Sequence, residues 1–338
     1  MSTRIGINGF GRMGKQTLRA ALERYPDKLE VVAVNSRRGR PEDIARLFKY
    51  DSTYGRYPGD VSATDDSVNI DGADVLVLNE EDPSNLPWGE IGVEIVIEST
   101  GAFNDAGKAS GHLESGARKV IISAPAKGDA LTVVLGVNED DYDPERHNIV
   151  SNSSCTTNCI APIVKVLHDN FGIERGLMTT VHAYTNDQRL LDKYHSDPRR
   201  ARAAGQNIIP TTTGAAKSVG IVMPELAGKI NGMAVRVPTP TVSLTDFVAT
   251  LGKAVSAEEV NDSYREAASN GLNGILDYTE EPLVSADFIR DPHSAIVDGT
   301  STMSLGGDMV KVVGWYDNEW GYSCRTADLA AFVSDKGI

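Results

Sequence analysis

Cysteines are few in this sequence, and long apolar runs are missing. Three cysteines in 338 residues are an odd and sparse count that does not suit a disulfide framework. No run reaches the ~18 apolar residues of a membrane span, and the first residues contain no apolar signal core, so we expect a cytoplasmic protein. Hydrophobic residues at 41% and charged residues at 24% are ordinary globular usage, which excludes a disordered or fibrous chain.

Positive charge is also scarce. Lys and Arg number 33 against 47 Asp and Glu, which gives a formal net charge of −14 at pH 7. The summed field of such a chain repels nucleic acids and anionic membranes, so we expect neither as a partner. If the ligands are anions, positive charge must be gathered locally.

The pattern of secondary structure changes near Ser151. Before it, short apolar runs alternate with helical patterns, which predicts an α/β domain with a parallel sheet covered on both faces. After it, β-rich stretches with few helices predict a largely antiparallel or mixed sheet. The predicted strands are 4–8, 29–34, 93–97, 119–123, 176–184, 234–237, 241–253 and 309–316, and the predicted helices are 13–23, 41–50, 104–116, 158–170, 257–269 and 323–334.

A glycine motif follows the first predicted strand and opens the first predicted helix. Gly9, Gly11 and Gly14 match the pattern GxGxxG. Glycines allow a tight turn and a close approach of the backbone to a pyrophosphate, and a helix N-terminus offers free N–H groups. This context predicts a dinucleotide site, and the alternative is a tight turn that binds nothing.

The second predicted strand lacks an acid at its end. An NAD-binding fold of this kind usually carries Asp or Glu there, where it holds the ribose 2′-hydroxyl. This chain has Ser36 instead, followed by Arg37 and Arg38. Guanidinium groups hold a 2′-phosphate that a carboxylate would repel, so the pattern favours NADP. The alternative is a solvated basic turn, with the 2′-hydroxyl held by other groups.

Cys155 and Cys159 lie one helical turn apart, near the start of a predicted helix. The helix dipole and the free N–H groups give a cysteine at such a place thiolate character, which suits a nucleophile. No second pair of ligands is in view, so we expect no metal. The alternative is a Ser/Thr-rich cap with two packing cysteines. His182 ends an apolar strand and is either the base for Cys155 or a structural histidine.

Together these segments resemble the phosphorylating glyceraldehyde-3-phosphate dehydrogenases, almost from end to end. The cysteine segment is the most specific of them. The matching motifs are Ile5–Gly14 (IGINGFGRMG), Ser151–Cys159 (SNSSCTTNC), His182–Gln188 (HAYTNDQ), Ile208–Lys217 (IIPTTTGAAK), Val235–Pro240 (VRVPTP) and Trp315–Tyr322 (WYDNEWGY).

The resemblance implies a reaction. Cys155 attacks the aldehyde of glyceraldehyde 3-phosphate as a thiolate and forms a hemithioacetal, with His182 as general base. Oxidation by the nicotinamide cofactor leaves a thioester, and inorganic phosphate releases it as 1,3-bisphosphoglycerate. The thioester conserves oxidation energy that hydrolysis would waste. The family works in glycolysis or gluconeogenesis.

The resemblance also implies binding residues. Thr185 and Arg236 match the site for the substrate's C3 phosphate, and Arg200 matches a further substrate-phosphate position. Both arginine assignments have an alternative: Arg200 lies at a subunit contact, or Arg236 forms an internal salt bridge. For Asn318, which is introduced below as a cofactor contact, the alternative is a structural role in a turn. Ser154, Thr156, Thr213 and Gly214 match the site for the attacking phosphate, and Arg12, Met13, Thr100, Gly101, Ser123 and Asn318 match cofactor contacts, Asn318 at the nicotinamide carboxamide.

The family fold is a Rossmann-type doubly wound parallel sheet plus an α+β catalytic domain, with the last helix returning to the first domain. It implies a dinucleotide-binding domain of 1–151 and 315–338, a catalytic domain of 152–314, and a homotetramer.

NAD-using members carry Asp where this chain has Ser36, so we expect dual or NADP-preferring use. Two other functions stay open: an erythrose-4-phosphate dehydrogenase and a non-catalytic NAD(P)-binding regulator.

Overall fold

Contacts between residues divide the chain into two compact units. The computed structural model describes residues 2–338. One unit holds the chain up to Val133 together with Asp140–Ser153 and Ser323–Ile338, and the other holds Val134–Glu139 and Ser154–Tyr322. The domain limits implied by the family resemblance stay a prediction. Among residues 2–338, no helix combines the length and the apolar character that crossing a bilayer requires.

The first unit is built on a sheet of nine strands. Its helices are α1 (Arg12–Arg24), α2 (Pro41–Lys49), α3 (Ala106–Ala109) and α4 (Gly111–Glu114). Its strands are β1 (Thr3–Asn8), β2 (Leu29–Asn35), β3 (Tyr50–Asp51), β4 (Gly55–Arg56), β5 (Val61–Ala63), β6 (Ser67–Ile70), β7 (Ala73–Leu78), β8 (Ile95–Glu98), β9 (Lys119–Ile122), β10 (Leu131–Thr132) and β11 (Ile149–Ser151), of which β3 and β4 form a separate ribbon.

The strand order is β10-β11-β9-β8-β1-β2-β7-β6-β5, and all pairs from β10 to β7 are parallel. The predicted doubly wound parallel sheet is therefore confirmed. Only β5, β6 and β7 pair antiparallel, as an edge meander. Strand β1 has β2 on one side and β8 on the other, so the chain direction across the sheet reverses at its end, where open α/β sheets bind their ligands.

The predicted helix 104–116 is wrong in one respect, because two short helices, α3 and α4, stand in its place. Ser110 ends the first and precedes the second, and its hydroxyl donates to the carbonyl oxygen of Gly107 at 2.9 Å. Gly107 and Gly111 flank this junction. Glycine lowers helix propensity, and a serine that bonds to nearby backbone competes with the helix, so the segment breaks there.

The second unit is built on a mixed sheet. Its helices are α5 (Cys155–Phe171), α6 (Ala215–Val222) and α7 (Ala257–Ser269), and the final helix α8 (Trp320–Lys336) belongs to the first unit from Ser323 onward. Its strands are β12 (Ile173–Ala183), β13 (Ile209–Thr211), β14 (Ile230–Val237), β15 (Ser243–Leu251), β16 (Leu276–Thr279), β17 (Ala295–Asp298), β18 (Met303–Leu305) and β19 (Met309–Tyr316).

The strand order in this sheet is β13-β14-β12-β15-β19-β17-β16, with β18 paired to β19. The pairs β12–β14 and β16–β17 are parallel and the others antiparallel, which confirms the predicted mixed sheet. Helix α5 packs on it through buried residues such as Ile160, Ile163 and Val164, which share one core with Phe247 and Val312. This packing fixes the N-terminus of α5, where the candidate nucleophile lies.

Candidate active site

Cys155 is the first residue of α5, three residues earlier than the sequence predicts for this helix. Ser154 precedes it as the N-cap, and its hydroxyl accepts a hydrogen bond from the backbone N–H of Thr157 at 3.1 Å. The first N–H groups of a helix have no partner within the helix and carry partial positive charge. The thiol of Cys155 therefore lies where a negative charge on sulfur is stabilised.

His182 lies beside this thiol. It stands near the end of β12, and its Nε2 atom is 3.5 Å from the Sγ atom of Cys155. Its other ring nitrogen, Nδ1, is 2.7 Å from the carbonyl oxygen of Ala183. Arg236 Nη1 lies 3.2 Å from Nδ1, but its two protons go to the Ala183 carbonyl oxygen and the Thr185 hydroxyl. Because that carbonyl oxygen only accepts, Nδ1 carries the proton and Nε2 presents a lone pair to the sulfur. The structure thus brings together the predicted nucleophile and its predicted base.

Burial sets the protonation of this pair. It raises the pKa of the Cys155 thiol, an effect that the positive charge of Arg236 and hydrogen bonds from Thr156 oppose. It also lowers the pKa of His182 to about 3, helped by the charge of Arg236. Both groups are therefore neutral at rest near pH 7. Transfer of the thiol proton to Nε2 creates both charges side by side and leaves the net charge of the pair unchanged.

Arg236 supplies the positive charge next to this pair. It lies opposite His182 in the register between β14 and β12. Its Nη1 atom donates to the carbonyl oxygen of Ala183 at 3.1 Å and to the hydroxyl of Thr185 at 3.2 Å. Its Nε atom is buried and has no hydrogen-bond partner among residues 2–338. A buried guanidinium with an unused donor fits an anionic ligand, as predicted for the C3 phosphate.

Cys159 differs from Cys155 in its exposure to solvent and in its neighbours. It lies one turn further along α5 and is fully buried. Its sulfur lies 4.0 Å from the carbonyl oxygen of Gly314, and burial raises the pKa of its thiol far above the usual value. Cys159 is therefore an inert packing residue, while Cys155 keeps partial exposure and a base beside it.

Arg200 is already occupied by the protein itself. Its Nε donates to the Thr211 hydroxyl and its Nη2 to the Thr212 carbonyl oxygen, both at 3.0 Å, and its Nη1 forms an ion pair with Asp187. The Arg200 guanidinium holds the pKa of Asp187 below its usual range against the opposing effect of burial. The predicted phosphate role of Arg200 stays a prediction, and it would require these contacts to rearrange.

The predicted residues for the attacking phosphate fall in two groups. Ser154 and Thr156 flank Cys155, whereas Thr213 and Gly214 follow β13 and directly precede α6. The Thr213 hydroxyl accepts from the backbone N–H of Ala215 at 3.2 Å, and a side chain at Gly214 would meet no atom within 4 Å. The space at Gly214 is open to a ligand.

Tyr316 is a site residue that the sequence analysis did not single out. Its hydroxyl lies 3.0 Å from the Thr156 hydroxyl and 2.9 Å from the Thr180 hydroxyl. Its ring meets the His182 ring edge-on, at 6.0 Å between centroids. It is buried at the end of the apolar strand β19, which is the one signal in the sequence that could have pointed to it.

Asn318 follows β19 in the same unit. Its side chain is 4% exposed, and its Oδ1 atom accepts a hydrogen bond from the hydroxyl of Ser243 at 2.9 Å. Its predicted contact with a nicotinamide carboxamide stays a prediction. Ser243 itself carried no signal in the sequence beyond its place in an apolar strand.

In the first unit, the glycine motif forms a cradle at the end of β1. Gly9 has φ +96°, and a Cβ there would lie 2.6 Å from the backbone nitrogen of Thr100. A Cβ at Gly14 would lie 2.2 Å from the Gly9 carbonyl oxygen, whereas one at Gly11 would meet nothing within 4 Å. The first and last glycines serve close packing, and the middle one leaves open space at the N-terminus of α1. This cradle fits a dinucleotide pyrophosphate.

Arg12 and Met13 are the first two residues of α1, beside this cradle. The Arg12 guanidinium forms an ion pair with the buried Asp51, which also binds the Lys15 ammonium at 2.6 Å. Burial alone would raise the pKa of Asp51, but hydrogen bonds from Lys15 and from the backbone of Tyr54 and Thr53 hold it well below its usual range. The predicted pyrophosphate contacts of Arg12 and Met13 remain predictions.

Thr100 and Gly101 follow β8, and their loop is anchored by the buried Glu98. The two carboxylate oxygens of Glu98 accept from the backbone N–H and hydroxyl of Thr100 and from Asn8 Nδ2, and one of them lies 3.1 Å from His112 Nε2. Trp88 donates to His112 Nδ1 at 2.9 Å, so Nε2 carries the proton and also donates to Glu98. This network joins the ends of β1 and β8, while Ser123 follows the neighbouring β9 and its N–H bonds to the Glu98 carbonyl oxygen.

Ser36 directly follows β2, at the predicted ribose position. Arg37 is exposed and lies 3.4 Å from a carboxylate oxygen of Glu81, a residue that follows the adjacent strand β7. Arg38 is exposed and has no acidic partner among residues 2–338. Within that same range, no cluster of three or more His, Cys, Asp or Glu side chains could hold a metal ion.

Two family models match this chain. The model described as glyceraldehyde 3-phosphate dehydrogenase, NAD binding domain, matches residues 3–106, and the one described as glyceraldehyde 3-phosphate dehydrogenase, C-terminal domain, matches residues 154–318.

Curated relatives match over the full length. Glyceraldehyde-3-phosphate dehydrogenase of Geobacillus stearothermophilus is 57% identical over 338 residues, and glyceraldehyde-3-phosphate dehydrogenase 1 of Bacillus subtilis (strain 168) is 55% identical over 338 residues, each covering 100% of both chains. The Streptomyces coelicolor enzyme is 55% identical over 337 residues, 99% of this chain and 100% of its own. With its thiol–imidazole pair and its glycine cradle in place, the chain belongs to the glyceraldehyde-3-phosphate dehydrogenase family.

Proposed function

We propose that this protein oxidises D-glyceraldehyde 3-phosphate to 1,3-bisphosphoglycerate, reversibly, with inorganic phosphate and a nicotinamide dinucleotide. The observation that carries this proposal is the 3.5 Å approach of Cys155 Sγ to His182 Nε2 at a helix N-terminus beside Arg236. Sulfur attack on an aldehyde needs a base for the thiol proton and positive charge for the anion, and this arrangement supplies both.

The chemistry follows from the protonation of the pair. The sulfur of Cys155 bonds to the aldehyde carbon, the thiol proton passes to Nε2 of His182, and the carbonyl π bond breaks to leave the alkoxide form of a hemithioacetal. A bound nicotinamide dinucleotide supplies the hydride acceptor for the oxidation that leaves a thioester on Cys155. Inorganic phosphate then attacks the thioester carbon, the carbon–sulfur bond breaks, and Cys155 leaves as a thiolate that the helix N-terminus stabilises.

Two groups of residues serve the two phosphates in this proposal. Arg236 and Thr185 already touch one another, and the unused Nε of Arg236 points to an anion at that place. Ser154, Thr156, Thr213 and Gly214 would hold the attacking phosphate, with Arg200 as a further contact once Asp187 releases it. We treat the C3-phosphate site as the better supported of the two, because a buried guanidinium donor without a partner is costly unless a ligand uses it.

Steady-state kinetics with two aldehydes tests the substrate. Thr185, Thr213 and Gly214 fit a triose phosphate and phosphorolysis, so we expect a higher kcat/KM for glyceraldehyde 3-phosphate than for erythrose 4-phosphate, and a rate that depends on inorganic phosphate. A preference for erythrose 4-phosphate, or a rate unaffected by phosphate, would support the alternative dehydrogenase. Absence of any reduced cofactor would support the non-catalytic binder.

The proposal extends to the cofactor, for which we infer use of NADP alongside or ahead of NAD. No carboxylate occupies position 36 to repel a 2′-phosphate, and Arg38, two residues further on, has no acidic partner in the part of the chain that the structure describes. Arg37 is less available, because Glu81 lies 3.4 Å from it. Glu81 therefore competes with a 2′-phosphate for the same guanidinium.

Two variants test this inference. The double substitution Ser36→Asp with Arg37→Ala should lower the ratio of kcat/KM for NADP to that for NAD by roughly 10- to 100-fold, since it replaces charge-assisted contacts with repulsion. Glu81→Gln should raise the same ratio by about 2- to 5-fold, because it frees Arg37 from an exposed ion pair. If the double variant keeps the ratio of the parent protein, the residues at the end of β2 do not select the cofactor.

A homotetramer and a cytoplasmic location complete the proposal. Large apolar side chains stay exposed in the segment that follows β12, with Leu190 at 84%, Leu191 at 71% and Tyr194 at 85%. Leu177 and Leu305 are likewise exposed on β12 and β18. Exposed apolar groups of this size favour burial against another copy of the chain, which sedimentation or light scattering would measure.

A further inference from the structure

Ser243 connects two parts of the second unit through one hydroxyl group. It begins β15 and is 1% exposed. Its Oγ atom accepts a hydrogen bond from the backbone N–H of Ala183 at 3.1 Å and donates to Oδ1 of Asn318 at 2.9 Å. Ala183 is the residue after His182, and its carbonyl oxygen holds the Nδ1–H of His182. One serine thus links the strand that carries the base to the side chain of Asn318.

These contacts determine which way the amide of Asn318 faces. A hydroxyl has one proton to donate. With Oδ1 toward Ser243, the proton has an acceptor and the Ala183 N–H is accepted as well. If the amide were turned over, its N–H₂ would face Ser243 and the hydroxyl proton would have no acceptor among its neighbours. Oδ1 is therefore committed to Ser243, and Nδ2 of Asn318 donates to no group among residues 2–338.

The backbone before Ser243 is held in an unusual conformation to make this contact. Val242 has φ +65°, which is strained for a β-branched residue, and it is buried against Phe288 and Ile296. On its other side, the Thr241 hydroxyl donates to Asp317 Oδ1 at 2.9 Å. The corner of Thr241, Val242 and Ser243 therefore holds the two consecutive side chains of Asp317 and Asn318 separately. Such strain persists only where the surrounding contacts enforce it.

We propose that Ser243 is a positioning residue that locks the Asn318 amide with its N–H donors outward, so that Asn318 recognises the carbonyl oxygen of the nicotinamide carboxamide and not its amino group. This inference rests on the proposed function, which places the carboxamide at Asn318. The polarity of the contact follows from the hydroxyl proton of Ser243, because it holds Oδ1 of Asn318 on its own side and leaves the Nδ2 protons for the cofactor.

Cofactor analogues test this polarity by equilibrium binding, without turnover. The 3-acetylpyridine analogue keeps the carbonyl oxygen and lacks the amino group, and the thionicotinamide analogue replaces the oxygen by sulfur, a weaker acceptor. For the unmodified protein, the Kd of the thio analogue measured by calorimetry should be about 3- to 10-fold higher than the Kd of the natural cofactor, because one neutral hydrogen bond is weakened. The Kd of the acetyl analogue should stay close to that of the natural cofactor, because the same hydrogen bond is kept. The analogues used are those of NAD, or those of NADP if steady-state kinetics shows that the protein prefers NADP.

Four variants complete the test. Ser243→Ala should reduce the discrimination against the thio analogue to within about 2-fold, since the amide is then free to turn over, and Ser243→Thr should restore it. Thr241→Val removes the neighbouring hydroxyl, which holds Asp317 and not Asn318, and should leave the discrimination intact. Asn318→Ala should abolish it.

The outcomes separate two ways of being wrong. If Ser243→Ala keeps the discrimination while Asn318→Ala loses it, the role of Ser243 is refuted and the cofactor contact of Asn318 stands. If Asn318→Ala keeps it as well, Asn318 does not touch the carboxamide, and that part of the proposed function fails together with this inference. If the parent protein rejects the acetyl analogue and not the thio analogue, the amide faces the other way.

Discussion

Replacing Cys155 by alanine is expected to lower kcat/KM for glyceraldehyde 3-phosphate by at least about 10⁴-fold, as removal of a covalent nucleophile does in enzymes that depend on one. No other thiol in this part of the fold can substitute. Cys159 is fully buried, and burial raises the pKa of its thiol far above the usual value. The loss of kcat/KM is measured from the absorbance of the reduced cofactor that the reaction forms.

Cys159→Ala is the matched control, because it removes a thiol one helical turn away. It should keep kcat/KM near the parent value and lower the free energy of unfolding by about 1 kcal/mol, the cost of a small cavity. Iodoacetamide should label and inactivate both the parent and Cys159→Ala, and should leave Cys155→Ala unlabelled at this site. Substantial activity in Cys155→Ala would overturn the assignment of the nucleophile.

The second large effect concerns stability, at Asp51. Asp51→Asn should lower the free energy of unfolding by about 3 kcal/mol or more, because it leaves the ammonium of Lys15 buried without its counter-charge. The side chains of Asp51 and Lys15 are 0% and 8% exposed. Asp43→Asn is the control, since Asp43 pairs with Arg40 on the surface, and it should leave the free energy of unfolding nearly unchanged.

Asp51 also makes the free energy of unfolding depend on pH. Its lowered pKa means that the unfolded chain binds a proton at Asp51 more readily than the folded chain does. The stabilisation is therefore complete above the unfolded pKa, about 3.9, and is lost as the pH falls below it. Denaturant melts of the parent protein between pH 6 and pH 3 should show a steeper loss than those of Asp51→Asn, and parallel curves would contradict this assignment.

The sequence predicts the main strands and helices well where apolar spacing is regular. It places α7 at its observed bounds, but it starts α5 three residues late, because Cys155, Thr156 and Thr157 have no apolar period and the cap is formed by one serine hydroxyl. The short strands β5 and β6, which have three and four residues, are too short for a recognisable apolar pattern. Local sequence patterns of this kind predict helices and strands. They do not predict the features that depend on tertiary contacts.

The contacts of charged residues depend on tertiary structure and could not be predicted from local sequence patterns. The sequence indicates Arg37 and Arg200 as sources of positive charge for anionic ligands, yet Glu81 and Asp187 lie against them in the folded chain. Arg236, for which an internal salt bridge was the alternative interpretation, keeps a buried donor that has no partner within residues 2–338. Which arginine remains available depends on residues that are remote in sequence, so composition and motifs could not rank them.

Glu98 shows how such contacts restrict change in the chain. Its buried carboxylate receives hydrogen bonds from an amide, an imidazole, a hydroxyl and a backbone N–H, without a cationic side chain among them. Glutamine at this position would turn an N–H toward the backbone N–H of Thr100 or the amide N–H of Asn8, which can only donate. Aspartate would be one methylene too short to reach all four groups. A change at Asn8, Glu98 or His112 should therefore be tolerated only when a second change restores the match of donors and acceptors.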